Sequence, residues 1–167
     1  EISAMHYASP YSRSAVVDSL DVVILGATEI DTDFNVNVHT DSNGSIMGGS
    51  GGHSDTSAGA KLAMIIAPLS RARLPIVTDK VQCISTPGKT VDVLVTQRGV
   101  AVNPNQTELR KALEAAKLPV CDMEELKARA EAICGTPKAV RHGNKVVGNV
   151  IYRDGTQIDS IYNVPQK

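Results

Sequence analysis

A glycine-rich segment at residues 48–52, set between a strand-like run and a helix-like run, constrains this chain more than any other feature. Four of these five residues are glycines. Alternating apolar residues at 34–39 precede the segment, and a helix-like run at 61–67 follows it, with the helix predicted to begin near Ser54 or Asp55. Glycine reaches positive φ readily and lets a ligand approach the backbone amides. The segment therefore predicts an anion site for a phosphate, a carboxylate or a developing oxyanion.

The segment matches neither common phosphate-binding motif. A Gly-x-Gly-x-x-Gly pattern starting at Gly49 would need glycine where the chain has Ser54, and a Walker loop would need Gly-Lys-Ser/Thr, whereas the nearby lysine is Lys61 in Gly-Ala-Lys-Leu. The alternative is a turn that only connects strand to helix. Because every glycine adds unfolded-state entropy that folding must overcome, a plain connection rarely contains four. We favour a functional loop.

Composition predicts a single α/β domain over residues 1–167. Hydrophobic residues make up 42% of the chain but aromatic ones only 3%, so the core must consist of Val, Ile, Leu and Ala, as in strands buried between helices. A net charge of −1 gives no indication of nucleic acid or an anionic membrane as partner. The three cysteines lie at no metal-binding spacing, so no metal site is expected, and they fit free thiols in a reducing cytoplasm.

Hydrophobic periodicity predicts an open, mostly parallel sheet flanked by helices, with a C-terminal antiparallel ribbon. The ribbon turns at Asp154-Gly155. The predicted strands are 22–25, 34–38, 74–77, 93–96 and 100–102, the helices are 55–69, 106–117 and 122–134, and the ribbon spans 145–164.

Two polar residues stand at the predicted start of the helix after the glycines. Two roles are equally compatible with His53. It could donate to a substrate carboxylate or move a proton, or it could only stabilise the loop. Asp55 is predicted to cap the helix through its carboxylate. The other histidines have no partner at ligand spacing.

Further candidates stand at the ends of predicted elements, the two arginines between the predicted helix 55–69 and the strand at 74–77. Arg71 and Arg73, at alternate positions of an extended segment, could clamp a polycarboxylate, although a pair of exposed arginines near a helix end is the simpler interpretation. Glu29 and Gln97 follow buried strands, and the carboxyl ends of such strands point at the ligand crevice in open α/β sheets. No Ser-His-Asp ordering, Cys-His pair or nucleophile elbow is present.

Several segments together resemble the CoA-transferase superfamily, namely 26–31 with 35–38, the loop at 49–55, and 91–101. Within it, Gly-Gly-Ser-Gly-Gly-His-Ser-Asp-Thr at 48–56, Ser-Arg-Ala-Arg-Leu-Pro-Ile-Val at 70–77 and Cys-Asp-Met-Glu-Glu-Leu at 121–126 strongly resemble the citrate lyase α-chain family. The resemblance covers nearly the whole chain. Together with a start at Glu1 rather than Met, it implies the C-terminal portion of a longer protein.

The resemblance implies a citrate CoA-transferase, which exchanges acetate for citrate on an acyl-carrier thioester. The family binds no cofactor covalently on this chain; the thiol belongs to a CoA-like phosphopantetheine prosthetic group on the acyl carrier (γ) subunit. The implied partners are that subunit, the citryl lyase (β) subunit, citrate and the acetyl thioester. A homo-oligomer within a larger cytoplasmic complex is expected, with no nucleic acid and no membrane.

Many members of the superfamily form a thioester on a glutamate, but no segment here matches that motif, and the chain has Gln97 where many relatives carry glutamate. The citrate lyase branch is thought to let citrate attack the acyl carrier directly, through a mixed anhydride, so catalysis falls to positioning and oxyanion stabilisation. The catalytic candidates are Gly51, Gly52 and His53. The substrate-binding candidates are Gly48, Gly49, Ser50, Glu29, Arg71, Arg73 and Gln97.

Two alternatives remain open at this point. The chain could be a non-catalytic scaffold that docks the carrier and lyase subunits through the helices at 106–117 and 122–134. It could also be a CoA-ester hydrolase, in which water rather than a carboxylate accepts the acyl group.

Overall fold

The computed structural model describes residues 1–165 of the chain, and the predicted domain's last two residues lie outside the described residues. Strand and helix labels follow chain order. The helices are α1 Ala4–Ala8, α2 His53–Gly59, α3 Thr107–Ala115 and α4 Met123–Cys134. The strands are β1 Val22–Leu25, β2 Glu29–Asp31, β3 Val36–Asn37, β4 Leu62–Ile66, β5 Ser70–Arg71, β6 Leu74–Pro75, β7 Val77–Thr78, β8 Val93–Thr96, β9 Gly99–Val102, β10 Val120–Cys121, β11 Val146–Ile151 and β12 Gln157–Tyr162.

A five-stranded main sheet in the order β1-β4-β8-β9-β10 organises the fold. Its neighbouring strands run parallel except β8 and β9, which pair antiparallel. The predicted mostly parallel sheet is therefore confirmed, as is the C-terminal ribbon, formed by β11 and β12. The ribbon turns through Gly155, whose φ of +86° is the left-handed conformation that glycine adopts most easily.

The core lies between one face of the main sheet, α4 and a second, three-stranded sheet in the order β3-β2-β7. Ile65 and Leu94 from the main sheet, Leu126 from α4, and Ile30 and Val36 from the small sheet are all fully buried. These aliphatic side chains form one continuous cluster, in agreement with a core built without many aromatic residues.

The predicted helix over 55–69 is wrong in its second half, because residues 62–66 form β4, which lies between β1 and β8. The helix α2 ends at Gly59, which packs so closely on Val17 that a side chain there would meet the Val17 Cγ2 atom at 2.8 Å. Periodicity does not distinguish a buried helix segment from a buried strand when an apolar run is this short. The β-branched pair Ile65-Ile66 was the available signal for a strand.

Three other predicted strands differ in extent or environment. The strand predicted at 34–38 shrinks to Val36–Asn37, because Phe34 has a φ of +64° and its amide donates to the Asp31 carbonyl in a turn. The run at 74–77 divides between β6 and β7, which belong to different sheets. The first strand has the predicted bounds but lies at a sheet edge with Ile24 61% exposed, and is not buried on both faces.

Within the described residues, no helix is both long enough and apolar enough to cross a membrane.

The placement of Ile65 in the core predicts a large stability cost on truncation. We expect Ile65→Ala to lower the free energy of unfolding by about 2–5 kcal/mol, because it removes buried methyl groups and leaves a cavity. The matched control is Ile133→Ala on α4, where the side chain is 59% exposed and a loss below about 0.5 kcal/mol is expected. Urea unfolding of both variants measures the difference, and equal losses would contradict the position of β4.

Candidate functional site at the glycine loop

The glycine loop lies at the carboxyl edge of the parallel strands. Gly26 follows the last residue of β1, and its carbonyl oxygen is 2.9 Å from Nε2 of His53, the first residue of α2. The loop, which leads directly into α2, is thereby held beside the end of β1. This is the edge at which open α/β sheets bind their ligands.

The amides of residues 48–52 face no internal acceptor among the described residues. The four glycines are exposed and Ser50 is half-buried. The first amide after them with an internal partner is that of His53, which donates to the Ser50 carbonyl at 3.2 Å. Five consecutive donors therefore remain available to a ligand.

Packing does not account for these glycines. A Cβ atom added at Gly48, Gly49 or Gly51 would meet nothing within 4 Å, and one at Gly52 would touch only Thr56 Cγ2 at 3.9 Å. Gly51 alone has a conformational need for glycine, with a φ of +56°. No neighbouring atom excludes a side chain here. The lack of side chains is therefore consistent with a surface at which a ligand or a partner approaches the backbone closely.

The helix after the loop contributes less than the sequence suggested. The α2 helix has seven residues, so its dipole is short, and the donors of the loop itself are the main source of positive potential. The N-cap position is Gly52, without a side-chain cap.

His53 is a neutral residue that holds the loop in place. The Gly26 carbonyl can only accept, so Nε2 carries the proton and Nδ1 accepts from the Thr86 hydroxyl at 2.7 Å. Burial lowers the pKa of the imidazole below its ordinary value of 6.5, the hydrogen bond to Gly26 opposes this, and the nearby His39 reinforces it. Both ring nitrogens are thus engaged inside the protein. This favours the interpretation in which His53 stabilises the loop over the one in which it donates to a substrate or moves a proton.

Asp55 does not cap α2, contrary to the prediction. Its Oδ1 atom lies 3.3 Å from Nε of Arg153, which follows β11, and the two side chains are 26% and 16% exposed. Neither atom has a hydrogen bond within the described residues, so each depends on the charge of the other. Arg153 also donates to the Ala8 carbonyl at 3.5 Å. The C-terminal ribbon is thereby tied to the helix that carries the glycine loop.

Glu29 lies in a separate environment. Its side chain is buried, and Oε2 accepts from Asn37 Nδ2 and from the Gln82 amide, both at 3.0 Å. It borders a cavity of about 380 Å³ whose other walls come from residues 42, 74–75, 78–82, 131, 136–140 and 142, not from the glycine loop. The structure therefore places Glu29 beside the small sheet and does not bring it into contact with the loop.

Gln97 and the two arginines follow the carboxyl ends of β8 and β4. The Oε1 atom of Gln97 accepts from the Leu69 amide at 3.0 Å, which fixes the backbone just before β5. Arg71 lies at the end of β5, and Arg73 is in the two-residue turn to β6 with a φ of +67°, so the predicted extended segment is wrong. Both arginines are exposed and form no salt bridge within residues 1–165.

Sequence reasoning missed the partners that hold the loop. Thr86 stands in a Thr-Pro-Gly sequence typical of a turn, yet it is fully buried and contacts His53. Asn37 is also fully buried, and its side-chain oxygen accepts from the amides of His39 and Thr40. No signal in the sequence indicated Asn37, because polar residues of an alternating strand, as predicted at 34–38, are expected to face solvent.

In the part of the chain that the structure describes, no three His, Cys, Asp or Glu residues cluster as metal ligands. Burial and the charge of Asp159 raise the pKa of the Cys83 thiol to about 12, and burial raises that of Cys121, so neither is a thiolate near neutral pH.

The family model "Citrate lyase, alpha subunit (CitF)" matches residues 1–164 of the chain. Among curated proteins, the citrate lyase alpha chain of Haemophilus influenzae is 51% identical over 98% of this chain, and that of Klebsiella pneumoniae is 52% identical over 98%. The alpha chain of Escherichia coli K12 is 48% identical over 99%. The chain spans about a third of the length of these relatives, between 32% and 33%.

A solved structure has the same fold. It is a Streptococcus mutans protein described as the alpha subunit of citrate lyase in complex with citrate, with a TM-score of 0.96 and 48% identity. The match covers 99% of this chain and 32% of that one. The fold described above therefore occurs within a chain about three times as long.

The buried, neutral state of His53 predicts that the free energy of unfolding decreases as the pH is lowered. The pKa of His53 and of His39 is lowered in the folded protein, so the unfolded chain binds more protons as the pH falls below about 6.5. Unfolding free energies between pH 7.5 and 5.5 should decrease, with a maximum slope of about 1.4 kcal/mol per pH unit for each histidine. His53→Gln should reduce this slope, whereas His6→Gln, at an exposed position, serves as the control. An unchanged slope in His53→Gln would contradict the buried neutral state.

The pair formed by Asp55 and Arg153 predicts coupled losses of stability. We expect Arg153→Met to lower the free energy of unfolding by about 1–3 kcal/mol, less than for a fully buried pair because both side chains retain some exposure. Asp55→Asn should add little to Arg153→Met, since the first change already removes the attraction. The exposed pair of Lys61 with Asp21 is the control, and Lys61→Met should have no measurable effect. Additive losses for Arg153→Met and Asp55→Asn would refute the coupling.

Proposed function

Because the chain belongs to the citrate lyase alpha-subunit family, we propose that it forms part of a citrate CoA-transferase site. The reaction exchanges acyl groups on a carrier thioester: acetyl carrier and citrate give citryl carrier and acetate. A citrate carboxylate attacks the acetyl thioester carbonyl and releases the carrier thiolate, which leaves a mixed anhydride. The thiolate then attacks the citryl carbonyl of the anhydride, and acetate departs. No protein nucleophile within residues 1–165 takes part.

One observation carries this proposal: the five amides of residues 48–52 are free of internal acceptors on a surface that side chains would not fill. Each attack on a carbonyl places negative charge on its oxygen, and backbone donors stabilise such an oxyanion without reorganisation. We assign this role to the amides of Gly51 and Gly52. Loss of one such donor typically costs about 2.7–4 kcal/mol of barrier lowering.

His53 acts in this proposal as a positioning residue. Both nitrogens of its ring are occupied by hydrogen bonds to Gly26 and Thr86. Its role is therefore to orient the amides of Gly51 and Gly52. A positioning error of about 1 Å is enough to cost a large part of the rate.

The remaining predicted residues fall into two groups in the proposed site. Gly48, Gly49 and Ser50 supply donors for a carboxylate of the substrate. Arg71 and Arg73 are cations without carboxylate partners in the described chain, and they suit the further carboxylates of a tricarboxylate.

Glu29 and Gln97 act through the backbone rather than on the substrate. Glu29 fixes the Gln82 amide and Gln97 fixes the Leu69 amide. Gln97 thereby supports the hairpin that carries the arginines.

The proposed partners are the acyl carrier and citryl lyase subunits, with the carrier supplying the CoA-like phosphopantetheine thiol, in a homo-oligomeric cytoplasmic complex. The scaffold alternative, in which α3 and α4 dock these subunits, has less support. Their charges pair along each helix, Arg110 with Glu114 and Arg129 with Glu125, which is typical of a solvated face.

The test is Gly51→Val in the complete protein with its acyl carrier. Valine at a φ of +56° is strained, and its side chain would occupy the space from which a ligand reaches the amides. We expect citrate-dependent transfer to fall at least about 100-fold.

The matched control is Gly135→Val after α4, where φ is +78° and an added Cβ also meets nothing within 4 Å. With ψ at 166°, this is a conformation that glycine almost alone adopts, so valine there also introduces backbone strain, about 1–3 kcal/mol, but away from the loop, and it should retain transfer. Wild-type transfer by folded Gly51→Val would exclude the oxyanion role. Loss of acetyl thioester without citrate would favour the hydrolase alternative.

A further inference from the structure

The main sheet has one face composed of aliphatic side chains. In the parallel register, Val22 lies opposite Leu62, Ile24 opposite Met64, and Ile66 opposite Val95. Paired residues of neighbouring strands point to the same side of a sheet, and alternate residues along a strand return to that side. We call the surface formed by Val22, Ile24, Leu62, Met64, Ile66 and Val95 the open face.

The two sides of the sheet differ sharply in exposure. On the open face, Ile24 is 61% exposed, Ile66 47% and Val22 45%, and the other three residues are half-buried. Val93, which pairs with Met64 on the same side, is only 3% exposed, so the exposed area lies mainly over β1 and β4. On the opposite side, Val23, Ala63, Ile65 and Leu94 have exposures of 9% or less. The helix α3 contacts β10, at the far edge of the sheet from β1.

The strand sequences are those of a sheet covered on both sides. Continuous aliphatic runs, Val-Val-Ile-Leu in β1 and Leu-Ala-Met-Ile-Ile in β4, are typical of parallel strands between two layers, whereas a half-exposed strand alternates apolar with polar residues. Soluble proteins rarely leave a contiguous aliphatic patch to solvent. The β1 edge is also open, since β1 pairs only with β4 among the described residues and contains no lysine, proline or bulge to protect it.

We propose that the open face is covered by polypeptide that the longer protein carries outside the matched third, packing an aliphatic helix layer on β1, β4 and β8. The face has no charged residue, so the covering layer must be apolar there. The Streptococcus mutans match shows this same fold within a chain of which it is 32%, so ample polypeptide is available in the same molecule. An intramolecular partner has a high effective concentration and needs no separate encounter. This inference is independent of the reaction proposed above.

The experiment measures cysteine reactivity at the open face in the longer protein. Ile24→Cys and, separately, Val22→Cys are made in a Cys134→Ser background and treated with a maleimide, native and in urea. Peptide mass spectrometry then follows the residue concerned. We expect each cysteine to react at least 100-fold more slowly in the native protein than in urea. A native rate within about 10-fold of the denatured rate at both positions would overturn the proposal.

Dilution distinguishes the covering polypeptide from a second copy of the chain. Protection by polypeptide of the same chain should persist when the protein is diluted until light scattering shows only monomer. Protection that disappears on this dilution would assign the open face to contact between copies and would equally overturn the proposal. Ile133→Cys on α4, 59% exposed and not on the open face, measures the reactivity of an exposed residue in the same protein.

Discussion

The hydrogen-bonded imidazole of His53 is the interaction on which the candidate site depends. It joins three stretches that are distant in sequence: the end of β1 at Gly26, the start of α2, and Thr86. Thr86 is in turn bonded through its backbone to Val36 of the small sheet. The amides of residues 48–52 donate no hydrogen bond within the described part of the chain, so the anchoring of His53 at both ring nitrogens is what ties the C-terminal end of the glycine loop to the rest of the protein. The oxyanion role that we propose for the loop requires such anchoring, because donors stabilise a developing charge best when they need not reorganise.

The sequence predicted most of the architecture because many elements carry strong local signals. The strand at Val22–Leu25 and the strand at Val93–Thr96 have the predicted bounds, and α4 ends at Gly135 as expected. The error at β4 has a specific cause: five apolar residues fit a helix face and a buried strand equally well, and the decision is made by the neighbours, β1 and β8. Register with strands some 30 to 40 residues away is not visible in local periodicity.

The site was predicted in part, and for a similar reason. The free amides of residues 48–52 follow from composition and position alone, whereas the roles of the side chains around them depend on distant partners. Asp55 was expected to bond the nearest helix amides, but Arg153, 98 residues further on, offers a full charge at close range. Glu29 was expected to face a ligand, but Asn37 and the Gln82 amide hold one of its oxygens inside the small sheet. Local rules describe what a side chain prefers, and the tertiary fold determines what it meets.

The hairpin between β5 and β6 has a consequence for how this chain distributes its stability. Both residues of its turn, Ala72 and Arg73, have positive φ, at +48° and +67°, where asparagine and glycine are the usual occupants. A backbone of this kind costs about 1–2 kcal/mol per residue for a side chain with a β-carbon. Asn-Gly at these two positions would relieve that strain. The chain instead keeps the Arg73 guanidinium and a strained backbone at the turn. A glycine at position 73 would relieve the strain but remove the cation, so stabilisation and retention of the positive charge oppose each other at this position.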